Sequence, residues 1–492
     1  MERLRRELLA EAREVAAGVP GPGRERLLGY VAASAGRHLA FVHGAAAADE
    51  LASPLWRAGA WAALAGSANG AAAARRARSR LRHSVKALVE EGAPGAEAGT
   101  AGLDRIVERL AEAGDLALAG RLCARFPDDT RARDSLLTAL LSGGRRREAL
   151  DLALRAPPGP ARDGALEAVA DAFAGAGGRD GALAAAESIG DPFERERVRL
   201  DVLCELTGAE PHERGTAAMR EVRGALSALY AAALGVRACL WDGDESGARE
   251  FAGAAARIAA DSVDEEHRTR ALALAARLRT DTGDVDGALA KARLIPAGPE
   301  RRGAVESAMW RLAPEDEQGP VAVRAIRGRA ADDEEREVAA YVVARVHVER
   351  RDLAGASRWL RRVRDPALRS PVLQGIGGVL LERGDAAGAA RVLGQVLPAL
   401  RDGTTFRDLA IEQLRQGDEE GAAATLEGMV AGREWAAGSL GGLAARYGQA
   451  ERLRDWARAR LGPVLRVRAL LGAAADLDDP FPDEHHEARV FR

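Results

Sequence analysis

The chain has 492 residues, 47% hydrophobic and 29% charged, a globular balance that excludes wholesale disorder. Aromatic residues make up only 4%, and a chain poor in aromatic and β-branched residues but rich in Ala, Leu, Arg and Glu is predicted all-α. With 71 basic and 74 acidic residues the net charge is −3, which excludes a global basic surplus of the kind that nucleic-acid proteins carry.

Lys86 and Lys291 are the only lysines and Asn69 the only asparagine. Such a skew toward arginine reads as codon choice in a GC-rich, actinobacterial type of genome, so arginine abundance by itself carries no functional message.

Residues 1–91 are predicted as an N-terminal helical region. It opens on the charged, amphipathic Met1-Glu2-Arg3-Leu4-Arg5-Arg6-Glu7-Leu8-Leu9, unlike a signal peptide. No window reaches the run of about 20 apolar residues that a membrane span needs. Cys123, Cys204 and Cys239 are sparse and odd in number, which fits a reducing compartment. Together these predict a cytoplasmic protein without membrane contact. Gly66 with Ala71 reads as an eroded repeat turn. Further on, Arg75, Arg76, Arg78, Arg80, Arg82 and Lys86 have no acid among them, and Leu81, Val85 and Leu88 occupy the opposite face. Arg75, Arg78, Arg82 and Lys86 are therefore a secondary candidate site, a basic patch for an acidic partner, against the reading of an ordinary solvated face.

Residues 92–102, with Gly92-Ala93-Pro94-Gly95, are the predicted joint, and an internal repeat follows over 103–475. Its first tag is a glycine, usually an aspartate, three residues and an alanine. It reads Gly114-Asp115, Gly144, Gly177, Gly243-Asp244, Gly283-Asp284, Arg351-Asp352, Gly384-Asp385, Gly417-Asp418 and, more weakly, Gly448-Gln449. Eroded copies fall at Gly208-Ala209-Glu210-Pro211 and Glu315-Asp316-Glu317. The second tag is an arginine fifteen residues before the glycine position, at Arg162, Arg195, Arg268, Arg301, Arg336, Arg369 and Arg433, with Arg466 beyond. An aspartate often precedes it by four: Asp191, Asp264, Asp332 and Asp365.

Those aspartates are N-cap candidates for a first helix, Asp191-Pro192-Phe193-Glu194 being the fullest version. The glycine lets the chain leave that helix in a left-handed conformation, and the next aspartate caps a second helix. Each arginine lies in a first helical turn, where the helix dipole disfavours a cation. Carbonyls at the end of the preceding helix or a nearby acid must therefore compensate it. A lone hairpin of this kind cannot bury its apolar face, so neighbours must stack. The predicted fold is an all-α, right-handed α-α superhelix of about 11 or more helix-turn-helix repeats with a period near 33. Residues 476–492, containing Asp478-Asp479-Pro480-Phe481-Pro482, are predicted as a flexible tail.

On these residues the chain resembles the tetratricopeptide repeat family. The Leu-Gly pair of that family appears as Ile376-Gly377 and Leu440-Gly441, and the alanine after each turn fits. HEAT-like repeats, which also favour an Asp-Pro-x-x-Arg start, are the rival. The resemblance implies a concave groove lined by the first helix of each repeat and a partner protein or peptide held there. Under that geometry the residues ten and six before each turn face the groove. In early copies these are Asp104, Glu108, Asp134, Thr138, Glu167 and Asp171; later come Arg277, Glu306, Trp310, Tyr341, Arg345, Gln374 and Arg407. The candidate partner-binding residues are therefore Arg277, Trp310, Tyr341, Arg345, Gln374 and Arg407. Arginines beside aromatic platforms favour an acidic peptide. The other tryptophans, Trp56, Trp61, Trp241, Trp359, Trp435 and Trp456, are read mostly as core.

Catalytic signatures are missing: GxxxxGK[ST], HExxH and GxSxG do not occur, and Gly375-Ile376-Gly377-Gly378 reads as close helix packing. Asp332-Asp333-Glu334-Glu335 occupies a capping position rather than a metal site, and His485 and His486 lie in the tail. The sequence therefore points to a non-enzymatic scaffold with no catalytic residue, cofactor or metal. A nucleic-acid-binding array and an effector-sensing regulatory module are the alternatives.

Overall fold

The structure, a computed structural model, describes residues 2–20, 22–37, 41–68, 71–91, 103–208, 213–261, 263–313, 319–401, 403–430, 432–476 and 490. The predicted joint at 92–102, residues 209–211 and 315–317 of the two eroded turns, His485 and His486 lie outside the described residues. Among the described residues the chain forms 28 α-helices and one short 3-10 turn, with no strand. It divides into two compact units, 140–372 and the combination of 1–139 with 373–492.

The helix pairs follow from local chemistry. Asp191 accepts the amides of Phe193 and Glu194 at 2.8 and 3.2 Å, with Pro192 at the first helical position. Asp264, Asp332 and Asp365 accept the amides of His267, Glu335 and Ala367 in the same role. At the turns, Gly283 and Gly384 adopt φ of 78° and 72°, the left-handed conformation a helix exit requires. Asp284, Asp352, Asp385 and Asp418 then cap the following helix through the amide three residues on. That third residue is always glycine: Gly287, Gly355, Gly388 and Gly421. A Cβ there would collide with the capping carboxylate, so the second glycine is as much part of the turn as the first.

Gly66 departs from the expected pattern. It lies inside the helix Pro54–Ser67, where Arg109 packs against it, and it has no left-handed backbone.

In the unit 140–372, hairpins such as Ala225–Trp241 with Glu245–Asp261 and Glu265–Asp281 with Val285–Ala292 pack around one shared core. Phe193, Leu229, Val236, Leu272, Leu278 and Ile295 are buried there among Ala248, Ala252, Ala255 and Ala259. An alanine stripe lets helix axes approach closely, so a core this poor in aromatic residues still fills its space.

In the other unit, the helices Arg433–Arg446 and Pro463–Asp476 pack closely enough that a Cβ on Gly441 would strike the backbone of Ala469. Gly377 is held likewise against Leu393, so both Leu-Gly pairs mark close helix approaches. The first helix, Glu2–Ala17, packs on the last, Pro463–Asp476. Arg5 donates to the Ala474 carbonyl at 3.0 Å, and Glu11 binds Arg458 at 2.7 Å and also Arg466. Nearby, Arg26 meets Glu434 at 2.9 Å.

Candidate functional site

Four side chains gather on two consecutive first helices of the unit 140–372, Pro299–Trp310 and Asp333–Glu349. The Arg345 guanidinium carbon lies 5.7 Å from the centre of the Trp310 ring, within cation–π range. Arg345 also donates to the Tyr341 hydroxyl at 3.5 Å, and the Trp310 indole donates to Glu306 at 3.4 Å. Residues 306, 310, 341 and 345 thus form one contiguous group. Trp310 and Arg345 remain half-buried, whereas Tyr341 is only 6% exposed. The helix Asp333–Glu349 is buried over most of its circumference, which explains why a tyrosine expected to line an open groove is covered instead. Burial, then the negative charge of Glu306, pushes the Tyr341 phenol above its ordinary range. Arg277 is exposed on Glu265–Asp281.

Gln374 and Arg407 belong to the other unit. Gln374 donates to the Leu400 carbonyl at 3.1 Å. Arg407 binds Asp408 at 2.6 Å and the Ser439 hydroxyl at 3.2 Å, and its guanidinium lies 5.3 Å from the centre of the Trp435 ring. Here the sequence reading needs correction. Trp435 is 48% exposed and Trp241 is 75% exposed, so neither is core. Both stand at helix ends, where no further turn covers the ring.

Arg407 borders a cavity of about 570 Å³ with Gly378, Thr405, Ile411, Arg415, Ser439 and Arg446. These residues lie on Pro366–Glu382, Gly403–Arg415 and Arg433–Arg446, which are first helices of successive pairs. Glu382, Asp408, Glu412 and Asp476 share the wall, so its charges are mixed rather than basic.

The secondary patch lies on the helix Ala71–Glu91, with Ala77, Leu81, Val85 and Leu88 buried beneath it. Arg75, Arg78 and Lys86 are exposed, and Arg82 pairs with Asp115. On the acidic early positions, burial and the charges of Glu167, Glu205 and Asp201 raise the Asp171 carboxyl.

The acidic run at 332–335 is spent on arginines: Asp332 on Arg301, Asp333 on Arg336 and Glu335 on Arg293. No group of three or more His, Cys, Asp or Glu residues that could hold a metal occurs among the described residues. No helix among them is long and apolar enough to cross a membrane.

The folded chain is thus an array of helix-turn-helix pairs whose first helices carry arginine–aromatic contacts in both units. No protein-family model and no curated protein matches the sequence. Among solved structures, the chain is similar to one described as Naa15/Naa10 bound to HypK-THB. That match has 14% identity and a TM-score of 0.30, and covers 93% of this chain and 75% of that one. A circular tandem repeat protein with novel repeat topology also matches, at 14% identity and a TM-score of 0.12, covering 97% of each chain. At such scores neither likeness bears on function, and the fold rests on the helices themselves.

Proposed function

We propose that the chain is a non-enzymatic, cytoplasmic, bacterial scaffold of the tetratricopeptide-like kind. Its first helices present a groove to a protein or peptide partner rich in carboxylates. The observation that carries this reading is the Arg345–Trp310 pair, with Tyr341 and Glu306 holding its two members in place. A guanidinium held beside an indole keeps its charge and its fork of donors, which suits a carboxylate. Arg407 beside the half-exposed Trp435 repeats the arginine–indole contact in the other unit, there with its donors on Asp408 and Ser439. The proposed partner sites are Arg277, Trp310, Arg345, Gln374 and Arg407, with the buried Tyr341 acting only by holding Arg345, and with the patch at Arg75, Arg78, Arg82 and Lys86 as a secondary surface.

Peptide selection on the purified chain from a random displayed library tests this. Selected peptides should be enriched in Asp and Glu, and Arg345→Glu with Arg407→Glu should weaken them at least about tenfold by fluorescence anisotropy. Selected peptides without acidic enrichment, or equal affinity for the double variant, would contradict it. The cavity beside Arg407 favours a second reading, an effector-sensing module, because about 570 Å³ is the size of a small-molecule site.

A further inference from the structure

A second pocket in the unit 140–372 lies away from the groove residues, where the ends of two second helices meet the start of a first helix. It has a volume of about 600 Å³ and is lined by five arginines, three acids, three alanines and Trp359. Two of the acids are engaged by hydrogen bonds: Asp333 binds Arg336 at 2.6 Å and Glu337 accepts the Asp365 amide at 2.6 Å. Glu334 lies at ion-pair distance, 3.7 Å, from both Arg301 and Arg302, without a hydrogen bond to either, and Arg302 itself pairs with Asp365. That leaves Arg327, Arg362 and Arg364, all exposed, with no carboxylate partner among the described residues. Two of them pack on one indole: the guanidinium carbons of Arg327 and Arg362 lie 5.5 and 4.3 Å from the Trp359 ring centre.

Position explains part of this. Arg327 is in the last turn of Gly319–Arg329, and Arg362 follows Leu353–Leu360, where helix dipoles favour cations. Two dipole-compensating arginines need not converge on a shared pocket, however, and these two do, with Arg364 on the same rim. Three guanidiniums exceed what one carboxylate neutralises and match a phosphoryl group carrying nearly two negative charges and three acceptor oxygens. Ala297, Ala330 and Ala339 also line the pocket, and their small side chains leave room for the organic remainder.

We propose that this pocket binds a phosphoryl dianion, with Arg327, Arg362 and Arg364 as donors and the Trp359 indole as the platform that orients two of them. The phosphoryl group is carried either by a free phosphorylated small molecule or by a phosphorylated serine or threonine side chain. The site stands on residues separate from the groove, so it does not depend on the partner reading above.

The test uses the full chain in chloride buffer, with inorganic phosphate and O-phosphoserine titrated by phosphorus NMR. A labelled phosphoserine octapeptide and its unphosphorylated copy are followed by anisotropy. Phosphate, O-phosphoserine and phosphopeptide should bind, and Arg327→Gln with Arg362→Gln should weaken all three at least about tenfold. The single exposed change Arg364→Gln should weaken them severalfold, which keeps the test valid if the double variant misfolds. Arg345→Glu should leave them unchanged. Phosphopeptide binding about tenfold tighter than O-phosphoserine assigns the group to a protein side chain, and equal binding assigns it to a small molecule. Failure of all three ligands to bind, indifference to the arginine variants, or equal affinity for the unphosphorylated peptide would overturn the proposal.

Discussion

Arg369 donates back to the Val363 carbonyl at 2.9 Å and to the Leu360 carbonyl at 3.0 Å, across the loop that joins one helix pair to the next. This contact is one of two ways in which the tagged arginines are compensated. A cation in a first helical turn opposes its own helix dipole, but here it satisfies orphan carbonyls at the end of the preceding helix. Arg195 does the same with the Ile189 carbonyl at 3.3 Å, whereas Arg301, Arg268 and Arg336 use acids instead. Arg369→Met should cost about 1–2 kcal/mol in urea denaturation, because charge-assisted bonds to two carbonyls are lost. A loss below about 0.3 kcal/mol would show the tag to be incidental.

Arg351 stands where the other turns carry glycine, and with φ of 58° it is the one non-glycine residue in the left-handed region among the described residues. Arg351→Gly should therefore stabilise the chain by about 1 kcal/mol, whereas Gly384→Ala should destabilise it by a similar amount. Denaturation midpoints moving in the same direction for both variants would contradict this.

Glu335 is fully buried, and Arg293 grips both of its oxygens at 2.9 Å while the Ala331 amide donates to one of them at 2.7 Å. Burial pushes its carboxyl up, but the Arg293 hydrogen bonds and the Ala331 amide outweigh that, and the net shift is downward. Its contribution is thus fully present above the unfolded pKa of about 4.3 and is lost as pH falls through the lower folded value. Glu335→Gln should cost about 2–3 kcal/mol at pH 7, below the usual range for a buried pair because Arg293 is partly solvated. The difference from wild type should shrink on titrating below about pH 4, and a difference independent of pH would refute the ionised pair.

The three cysteines should differ little in chemistry but clearly in access. Burial pushes the Cys123 thiol up to about 12, and burial also raises Cys204 and Cys239. Cys239 is only partly buried, while the other two are covered. A disulfide reagent at pH 8 should label Cys239 slowly and first, with Cys123 and Cys204 reacting on unfolding. Rapid labelling of Cys123 in the native chain would count against the packing of its helix.

Much of the fold was legible in the sequence because its instructions are local. Asp191, Asp332 and Gly283 act within a few residues of themselves, so cap and turn could be read from spacing alone. The glycines at 287, 355, 388 and 421 are equally local, an Asp-x-x-Gly signal at the start of each second helix. Gly66 misled because a glycine with a following alanine also occurs inside helices. The site was less legible. Trp310, Tyr341 and Arg345 fell together because the positions six and ten residues before each turn repeat with the helix pairs. By contrast, Trp435 over Arg407 and Trp359 between Arg327 and Arg362 depend on how neighbouring helices end. The pairing of Glu11 with Arg458 joins residues 447 apart in sequence, which no local pattern encodes.

The most direct test of the groove is co-purification from the source organism with quantitative mass spectrometry. Wild type would be compared with Arg345→Glu/Arg407→Glu at matched salt, with equal helicity and melting confirmed for both. A partner with an acidic segment should be enriched by the wild type and reduced at least about tenfold by the double variant. Undiminished recovery of the wild-type partners by that variant would contradict it.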